Sequence, residues 1–568
     1  MTGMRLHQSW LIAKRTNLVD ARSIAALGGY YCLTLVSALC DGLGLVLLVS
    51  LVTGKLGPGQ SDAVSLFVIN ALKYVDVDGS KPAALLTVAL LFAVKTVILM
   101  GLTVVEAVFT AVIRRKLQES AYASALNADW EIMRAERTGQ LVGQLTEESH
   151  LVTRYFMSVI KAVYYAIASL VFGLLAVAMS LQLTLLMVML GAPLVFGLRR
   201  AIIYQSRVSA MQTQARQGFA ADIAERLNNL FFIKTQGSEV RHINIGNRQQ
   251  PEIARLEVLV GYCQALIANF NAALIALALV GLYFWVVYSG HPFQNALYLL
   301  ASVGAVGARA AAQFNNTVAS FGTISRFSGS IPLLSHMLGL KAATSRNDIS
   351  EPIVSVALIN AGYQIDDQVL VPCVNAIASV GVPLTIRGPS GSGKTTTANL
   401  IAGIFSPSLG AVEYMGVSGR KYDSTQFKAR IGYVTQDVVM FHGTVRDNLM
   451  PSDGRPTDDE FWSILSQVGA SQFIRAAGGL DAVMAEAGRS LSGGERRRLG
   501  IARALTCQAD IIILDEISNG LDDQLRDEIA ALINEIAKSK IIIAITHEPN
   551  EFQDWNTLRT FSCPQEHV

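Results

Sequence analysis

The apolar residues of this chain follow two different patterns. Up to about residue 327 they run in long stretches with few charges, whereas from Glu351 onward short apolar runs alternate with glycine-rich turns and charged segments. The second pattern is typical of an α/β domain. A chain of 568 residues is also too long for one hydrophobic core. We therefore predict an α-helical transmembrane domain at residues 1–330, a linker at 331–350 and an α/β domain at 351–568.

The long apolar stretches are expected to be membrane-spanning helices. Six of them can cross a hydrocarbon core of ~30 Å, and they lie at residues 24–53, 82–113, 152–180, 183–204, 259–289 and 293–324. Several exceed the ~20 residues that a bilayer needs, which indicates helices that project into the cytosol. Basic residues gather before the first span, after the second and after the fourth. This distribution predicts that both termini are cytoplasmic.

Polar side chains inside the spans are informative because they are costly. A charge at mid-membrane costs about 2.5 to 3.5 kcal/mol even on a lenient insertion scale. Lys95 and Glu106 are close to three helical turns apart, so both lie on one face of the second span. A polar cavity for cargo is one explanation, and pairs between helices are the alternative. The candidates for the cavity are Asp41, Lys95, Asn269, Arg309 and Gln313.

Charge and cysteine content exclude some classes of function. The formal net charge of +2 is close to neutral, which argues against nucleic acid as a partner. The six cysteines show no CxxC spacing, so we expect free thiols. The first apolar stretch is too long for a cleavable secretory signal, and we expect it to stay in the membrane.

A phosphate-binding loop begins the chemistry of the second domain. Residues 388–395 read GPSGSGKT, the full GxxxxGK[ST] pattern. Its glycines let backbone amides point at phosphate oxygens, and the following helix directs its positive end at them. Lys394 is expected to reach the β and γ phosphates, and the Thr395 hydroxyl to bind Mg²⁺. The nucleotide-binding candidates in this segment are Gly388, Pro389, Ser390, Gly391, Ser392, Gly393, Lys394, Thr395 and Thr396.

Two further segments complete a pattern of phosphate chemistry. Residues 511–516 read IIILDE, in which Asp515 is expected to hold Mg²⁺ and Glu516 to polarise the attacking water. Residues 491–495 read LSGGE, and Ser492 opens a helix with an amide-rich positive terminus. Taken in chain order (388–395, 491–495, 511–516), the three segments resemble the nucleotide-binding domain of ATP-binding cassette (ABC) proteins.

The resemblance implies roles for further residues. Gln436 matches the glutamine that senses Mg²⁺, and His547 matches the histidine that contacts the γ phosphate. Tyr363 matches the aromatic residue that stacks on adenine, although an aromatic that packs within a strand is the alternative. The resemblance implies ATP and Mg²⁺ as ligands, and it adds to the nucleotide site Ser492, Gly493, Gly494, Glu495 and Asp522. Glu495 is a departure, because the family has glutamine there.

The first domain is similar to the membrane domain of ABC exporters. Residues 127–156 and 224–237 resemble its two cytoplasmic loops, with coupling helices near 128–135 and 223–232; ordinary amphipathic helices are the alternative. In this family the LSGGE segment faces the nucleotide held by the other subunit. One chain with one phosphate loop therefore needs a second copy, and a homodimer is expected.

The resemblance as a whole implies an ATP-hydrolysing export half-transporter in the bacterial inner membrane. Because we expect no peptidase domain ahead of the first span, a leader-cleaving peptide exporter is disfavoured. A small matured peptide is the preferred cargo, since charges of both signs occur inside the spans. A flippase for lipids or lipid-linked oligosaccharides, a multidrug exporter and an ATP-gated channel are the alternatives.

Overall fold

The computed structural model describes residues 2–18, 20–52, 81–135, 138–179, 181–266, 280, 284, 293–343, 346–365, 368–450, 456–484, 491–518, 523–546 and 555–559. Its contacts divide the chain into two units, Met1–Ala342 and Ala343–Val568. The segment 331–350, predicted to be a linker, holds the last helix of the first unit and the first strand of the second.

The described residues of the first unit are almost entirely helical. The helices are α1 (Thr2–Arg15), α2 (Ala21–Val52), α3 (Lys81–Leu126), α4 (Trp130–Ala135), α5 (Thr138–Gly143), α6 (Ser149–Met179), α7 (Leu181–Asn228), α8 (Leu230–Thr235), α9 (Glu239–Asn247), α10 (250–266), α11 (Phe293–Phe327) and α12 (Ser330–Leu338). A π-helical turn, Gln144–Glu148, joins α5 to α6. Such turns widen a helix locally by one residue.

Three of these helices are long and apolar enough to cross a membrane, within the part of the chain that is described. They run over Ala21–Val49, Ala84–Leu126 and Leu141–Met179, where the first three spans were predicted. The predicted fourth and sixth spans fall inside α7 and α11, while most of the predicted fifth span lies outside the described residues. α3, which contains the second predicted span, continues as a polar helix to Leu126, as its length and pattern predicted.

A buried cluster ties the polar ends of several first-unit helices together. Leu117 of α3, Val152 of α6 and Leu334 of α12 are fully buried in it, and Ile12 of α1 joins them. The guanidinium of Arg15 donates to the carbonyl of Leu338 at 2.8 Å. The amino-terminal helix is therefore fixed to the helix that precedes the second unit.

The second unit contains two larger sheets. Its strands are β1 (Asn347–Asp348), β2 (Ile353–Ile365), β3 (Gln368–Ser379), β4 (Leu384–Arg387), β5 (Leu409–Gly416), β6 (Lys421–Asp423), β7 (Phe427–Lys428), β8 (Ile431–Val434), β9 (Gly443–Thr444), β10 (Val483–Met484), β11 (Ile511–Asp515), β12 (Ile541–Ile545) and β13 (Asn556–Arg559). A parallel sheet has the order β13-β4-β12-β11-β8, and an antiparallel sheet the order β3-β2-β5-β6.

Helices accompany these strands as in other α/β domains. They are α13 (Lys394–Ile401), α14 (Val445–Leu449), α15 (Asp458–Gln467), α16 (Ser471–Ala476), α17 (Gly493–Thr506) and α18 (Asp523–Ala537). β11 and β12 are almost wholly apolar and buried, as central parallel strands are. Along β11, Ile511 and Ile513 join one core cluster, whereas Ile512 and Leu514 join the other. The alternation places one core on each face of the sheet.

Candidate functional site

The loop between β4 and α13 has the backbone of a phosphate cradle. Gly391 and Gly393 adopt left-handed conformations, with φ of 78° and 84°. A Cβ atom at Gly393 would lie 2.4 Å from the carbonyl oxygen of Leu370. Only glycine fits this conformation and this space. Because α13 begins at Lys394, its first amides face the loop and form a positive terminus.

Lys394 is held inside this loop. Its buried ammonium group donates to the carbonyl oxygens of Gly388, at 3.1 Å, and Pro389, at 2.8 Å. Burial lowers the pKa of Lys394, and the charges of Glu516 and Asp515 oppose that change. The loop therefore gathers a cation and several amide donors, which is the donor set that phosphate requires. Ser392 is buried in the loop, whereas Ser390 and Thr395 are exposed.

Asp515 and Thr395 lie together at the carboxyl end of the parallel sheet. The Thr395 hydroxyl is 3.4 Å from Asp515 Oδ2, and the Tyr433 hydroxyl is 3.4 Å from the same oxygen. Burial raises the pKa of Asp515, as does the charge of Glu516. A hydroxyl and a carboxylate beside a phosphate loop suit Mg²⁺, which uses few protein ligands and takes substrate oxygens for the rest.

Glu516 follows β11 with an unusual backbone. Its φ of 50° is left-handed, and its amide donates to the carbonyl of Ile545 at 3.0 Å. The turn places a second carboxylate directly after Asp515 at the same sheet edge. Non-glycine residues in this conformation concentrate at functional sites. The two predicted acidic residues, Asp515 and Glu516, therefore lie beside Lys394 and Thr395.

The LSGGE segment opens α17 with a capping box. The Ser492 hydroxyl accepts from the Glu495 amide, and the Glu495 carboxylate accepts from the Ser492 amide at 2.8 Å. Glutamate and glutamine can both close such a box, so Glu495 keeps the cap at a position where glutamine is usual. A Cβ atom at Gly493 would meet nothing within 4 Å. The first turn of α17 is therefore open to a ligand at Gly493, whereas Gly494 is buried.

Other predicted residues have different positions. Gln436 is exposed just after β8. The ring of Tyr363 is only 3% exposed and stacks on Phe405, with centroids 4.9 Å apart. It presents no open face to adenine in this structure, which favours the strand-packing alternative. Three candidates, His547, Asp522 and Asn269, lie outside the described residues.

Tyr433 is a site residue that the sequence reading missed. It lies on β8, where Tyr433 is in register with Ile513 of β11. Burial raises the pKa of its hydroxyl, and the charge of Asp515 adds to this, so the group stays a neutral donor. The signal was an aromatic hydroxyl three residues before Gln436, near the end of a strand.

The two short cytoplasmic helices occur near their predicted places. α4 spans Trp130–Ala135, close to the predicted 128–135. The second prediction, 223–232, has shifted bounds, because α7 runs on to Asn228 and the short helix is Leu230–Thr235. Phe231 on this helix is 83% exposed. Leu230 and Phe232 beside it are exposed as well, and contiguous exposed apolar residues are typical of interaction surfaces.

Four of the five polar candidates in the membrane domain form one cluster. Lys95 Nζ lies 2.6 Å from Asp41 Oδ1, and Arg309 Nε lies 3.8 Å from Asp41 Oδ2. A cavity of about 150 Å³ is lined by these three residues and Gln313. Asp41 is almost fully buried, Lys95 is mostly buried and the Arg309 side chain is 45% exposed. α2, α3 and α11 therefore each contribute a charge to one cavity.

Glu106 belongs to a different group. It accepts a hydrogen bond from the Tyr30 hydroxyl at 2.7 Å and pairs with Lys161 Nζ at 2.8 Å. These contacts join α2, α3 and α6. For Glu106 the interhelical pair, rather than the cavity, explains the charge.

Comparison with known proteins finds a family match within the second unit and relatives that extend over most of the chain. Residues 374–519 match the family described as "ABC transporter". The chain is 25% identical over 485 residues to "ABC transporter B family member 1" of Dictyostelium discoideum, covering 79% of this chain and 50% of that protein. It is 23% identical to a "Multidrug resistance ABC transporter ATP-binding and permease protein" of Lactococcus lactis subsp. lactis, over 75% of this chain and 72% of that protein.

A shorter and closer match concerns about one third of the chain. An "ATP-dependent lipid A-core flippase" of Vibrio cholerae is 33% identical over 34% of each protein. Among solved structures, a bacterial Atm1-family ABC exporter with ATP bound superposes with a TM-score of 0.75 at 19% identity, over 95% of this chain and 94% of that one. At this identity the likeness establishes the fold. The prediction of a helical membrane domain joined to an ABC nucleotide-binding domain is confirmed.

Proposed function

We propose that this chain, whose second unit matches the ABC transporter family and whose fold is that of an ABC exporter, hydrolyses ATP to export a cargo as a homodimer. The observation that carries the proposal is the meeting of Lys394, Thr395, Asp515 and Glu516 at one end of the parallel sheet. The same chain has apolar helices that can span a membrane. A phosphate site joined to such helices supports ATP-driven transport.

Each residue of the site has a distinct task in this proposal. Lys394 and the loop amides bind the β and γ phosphates. Glu516 accepts the proton of the attacking water. Thr395 and Asp515 would hold Mg²⁺, which when bound neutralises charge on the phosphate oxygens. The left-handed backbone at Glu516 places its carboxylate next to that of Asp515 but at a separate position.

The homodimer follows from where the elements lie in one chain. We propose that the open first turn of α17 completes the site of the second copy. ATP then favours the closed dimer only as far as it binds that state better than the open one. The proposed location is the bacterial inner membrane, with both termini and the nucleotide-binding domain in the cytoplasm, and a small peptide is the preferred cargo.

The test is ATP hydrolysis by the purified protein in lipid nanodiscs. Glu516→Gln should bind ATP but hydrolyse it at least about a hundredfold more slowly, because the substitution removes the general base. Glu535→Gln is the matched control, since Glu535 lies on α18 and pairs with Lys538; it should keep wild-type turnover. Near-normal hydrolysis by Glu516→Gln would overturn the assignment.

The same preparation distinguishes the cargo classes. Saturable stimulation of hydrolysis by small peptides, absent in Glu516→Gln, would support peptide export. Stimulation only by lipids or lipid-linked sugars would instead make the protein a flippase, for which the similarity to lipid A-core flippases is the supporting observation.

A further inference from the structure

We infer that the cavity around Asp41 recognises the carboxyl terminus of a peptide, through Arg309 and Gln313. The inference deepens the proposed export function and rests on it. It starts from an imbalance of charge, since two cations, Lys95 and Arg309, face one carboxylate. Counting the described residues alone, one positive charge is left over in a cavity inside the membrane domain, where an uncompensated charge is costly.

The two cations are not equivalent. Lys95 is in close contact with Asp41, at 2.6 Å, and is mostly buried. Arg309 approaches the same carboxylate only to 3.8 Å and is 45% exposed. Among the described residues, no acidic oxygen lies within hydrogen-bonding distance of Arg309. Its guanidinium is therefore the group placed to receive a carboxylate, with a fork that matches one.

Gln313 sets a second requirement for a ligand of this cavity. It follows Arg309 by one helical turn on α11, so both side chains lie on the same face. Its carboxamide oxygen is buried and, within the described part of the chain, has no hydrogen-bond partner. Such an oxygen is destabilising until a donor reaches it. As far as the described residues show, the cavity thus lacks one anion and one hydrogen-bond donor, side by side.

The end of a peptide offers that pair of groups. Its carboxylate and its last N–H are separated by a single carbon atom, so one can meet Arg309 while the other meets Gln313. A phosphodiester has acceptors only and leaves the Gln313 oxygen unpaired. The cavity of about 150 Å³ has room for about five water molecules at ~30 Å³ each. This volume suits a terminal group of a ligand.

Binding to the nucleotide-free dimer in nanodiscs tests the inference separately from transport. The probe is a fluorescent pool of six-residue peptides of mixed sequence, prepared with free carboxyl termini and, in parallel, with amidated termini. The wild type should bind the free acids at least about tenfold more tightly, because a charge-assisted pair is lost on amidation. Equal affinity for both pools would overturn the inference, whatever the rate of ATP hydrolysis.

Variants locate the effect at the two residues. Arg309→Gln should abolish the preference for free acids, Arg309→Lys should keep part of it, and Gln313→Leu should weaken binding of both pools. Lys161→Gln is the control, because it removes a membrane-domain cation that pairs with Glu106 outside the cavity; it should keep the preference. A preference that survives Arg309→Gln would contradict the assignment.

A lipid source of the anion is tested in the same assay. Nanodiscs with added phosphatidic acid should leave peptide binding unchanged. If phosphatidic acid displaces the peptides through Arg309, the cavity is a lipid phosphate site and the peptide inference is wrong. If the peptide preference holds while the wild type hydrolyses no ATP, the export proposal fails and the inferred site stands as a binding site alone.

Discussion

Lys394 forms its nearest bonds with its own loop. The carbonyls of Gly388 and Pro389 occupy the ammonium group in this structure. An incoming phosphate has to replace these bonds, and it can do so because a charged acceptor binds an ammonium more strongly than a neutral carbonyl does. Burial lowers the pKa of Lys394. This direction indicates that neighbouring groups do not fully stabilise the charged ammonium group until an anion binds.

Lys394→Ala should weaken ATP binding at least about tenfold, since hydrogen bonds to charged groups contribute about 1.5 to 3 kcal/mol. Titration with a fluorescent ATP analogue measures the affinity. The matched control is Lys538→Ala, because Lys538 is exposed and bonded to Glu535. Unchanged affinity in Lys394→Ala would contradict the phosphate-loop assignment.

Glu351 shows how one carboxylate fixes the start of the second unit. It accepts from the Tyr422 hydroxyl at 2.5 Å and from the amide and hydroxyl of Ser418 at 2.8 and 2.7 Å. These bonds, that of Tyr422 first, hold the pKa of Glu351 below its usual range. Its contribution to stability is therefore present at neutral pH and is lost as the pH falls through the lowered pKa.

Glu351→Gln should lower the thermal midpoint of the second unit at pH 7, and the difference from wild type should shrink as the pH falls toward the lowered pKa of Glu351. Thermal unfolding measured between pH 7 and pH 3.5 checks this. Glu413→Gln is the control, because its partner Lys421 is exposed and such pairs contribute little. A difference that grows toward acid pH would contradict the sign of the argument.

Individual site residues differ in how far the sequence determines them. The loop glycines and Lys394 were predictable, because the conformation at Gly391 and Gly393 excludes other residues. Tyr363 was ambiguous, since position and residue type cannot tell a ring on adenine from a ring packed against Phe405. Tyr433 was missed because its contact with Asp515 depends on strand register, which a single sequence does not fix.

At the scale of elements, the capping box at α17 joins stability to function. Ser492 and Glu495 satisfy each other's backbone amides, so the first turn of the helix is rigid before any ligand binds. The pattern of serine followed three residues later by an acid predicts such a box. The comparison of residue types with the family shows Glu495 only as a departure, whereas its spacing from Ser492 indicates a cap.

Glu495→Ala should destabilise the second unit by about 1 kcal/mol, the typical value of a helix cap. Glu495→Gln should be close to wild type, because its carboxamide oxygen can still accept from Ser492. Thermal unfolding and ATP hydrolysis of the two variants provide the comparison. If glutamine were as disruptive as alanine, the charge rather than the cap would be the important property.

Element boundaries were less predictable than the elements. The spans were visible from long apolar runs, and five of the six fall within helices of the described part of the chain, three of which are long and apolar enough to cross a membrane. The predicted second coupling helix has shifted bounds, because residues 223–228 continue α7 and only the turn at Asn229 separates it from α8. Helical pattern continues across such a short interruption, so hydropathy alone does not reveal it.

At the scale of the whole molecule, the proposed sharing of each ATP site between two copies leads to a specific prediction about mixed dimers. A chain with Lys394→Ala and a chain with Gly493→Asp should each be inactive as homodimers. The aspartate fits without a clash, since a Cβ atom at Gly493 meets nothing within 4 Å, but it sets a negative charge against phosphate. A dimer of one chain of each kind retains one intact site, formed by the phosphate loop of the second and the α17 terminus of the first.

Co-expression with two affinity tags isolates the mixed dimer, and its ATP hydrolysis should clearly exceed that of either homodimer. The control is a mixed dimer in which one chain carries both substitutions and its partner carries none. It leaves no site intact and should be inactive. Activity in this control and none in the first mixed dimer would show instead that each chain completes its own site.

The unbroken length of α3 has a mechanical consequence. It runs over 46 residues, or about 69 Å at 1.5 Å per residue, and Lys95, about a third of the way along it, lines the cavity. A stiff rod of that length works as a lever. A tilt of about 10° around Lys95 moves Leu126 by about 8 Å, given that rise per residue. A tilt of α3 that begins at the cavity is therefore carried to Leu126 by the helix itself.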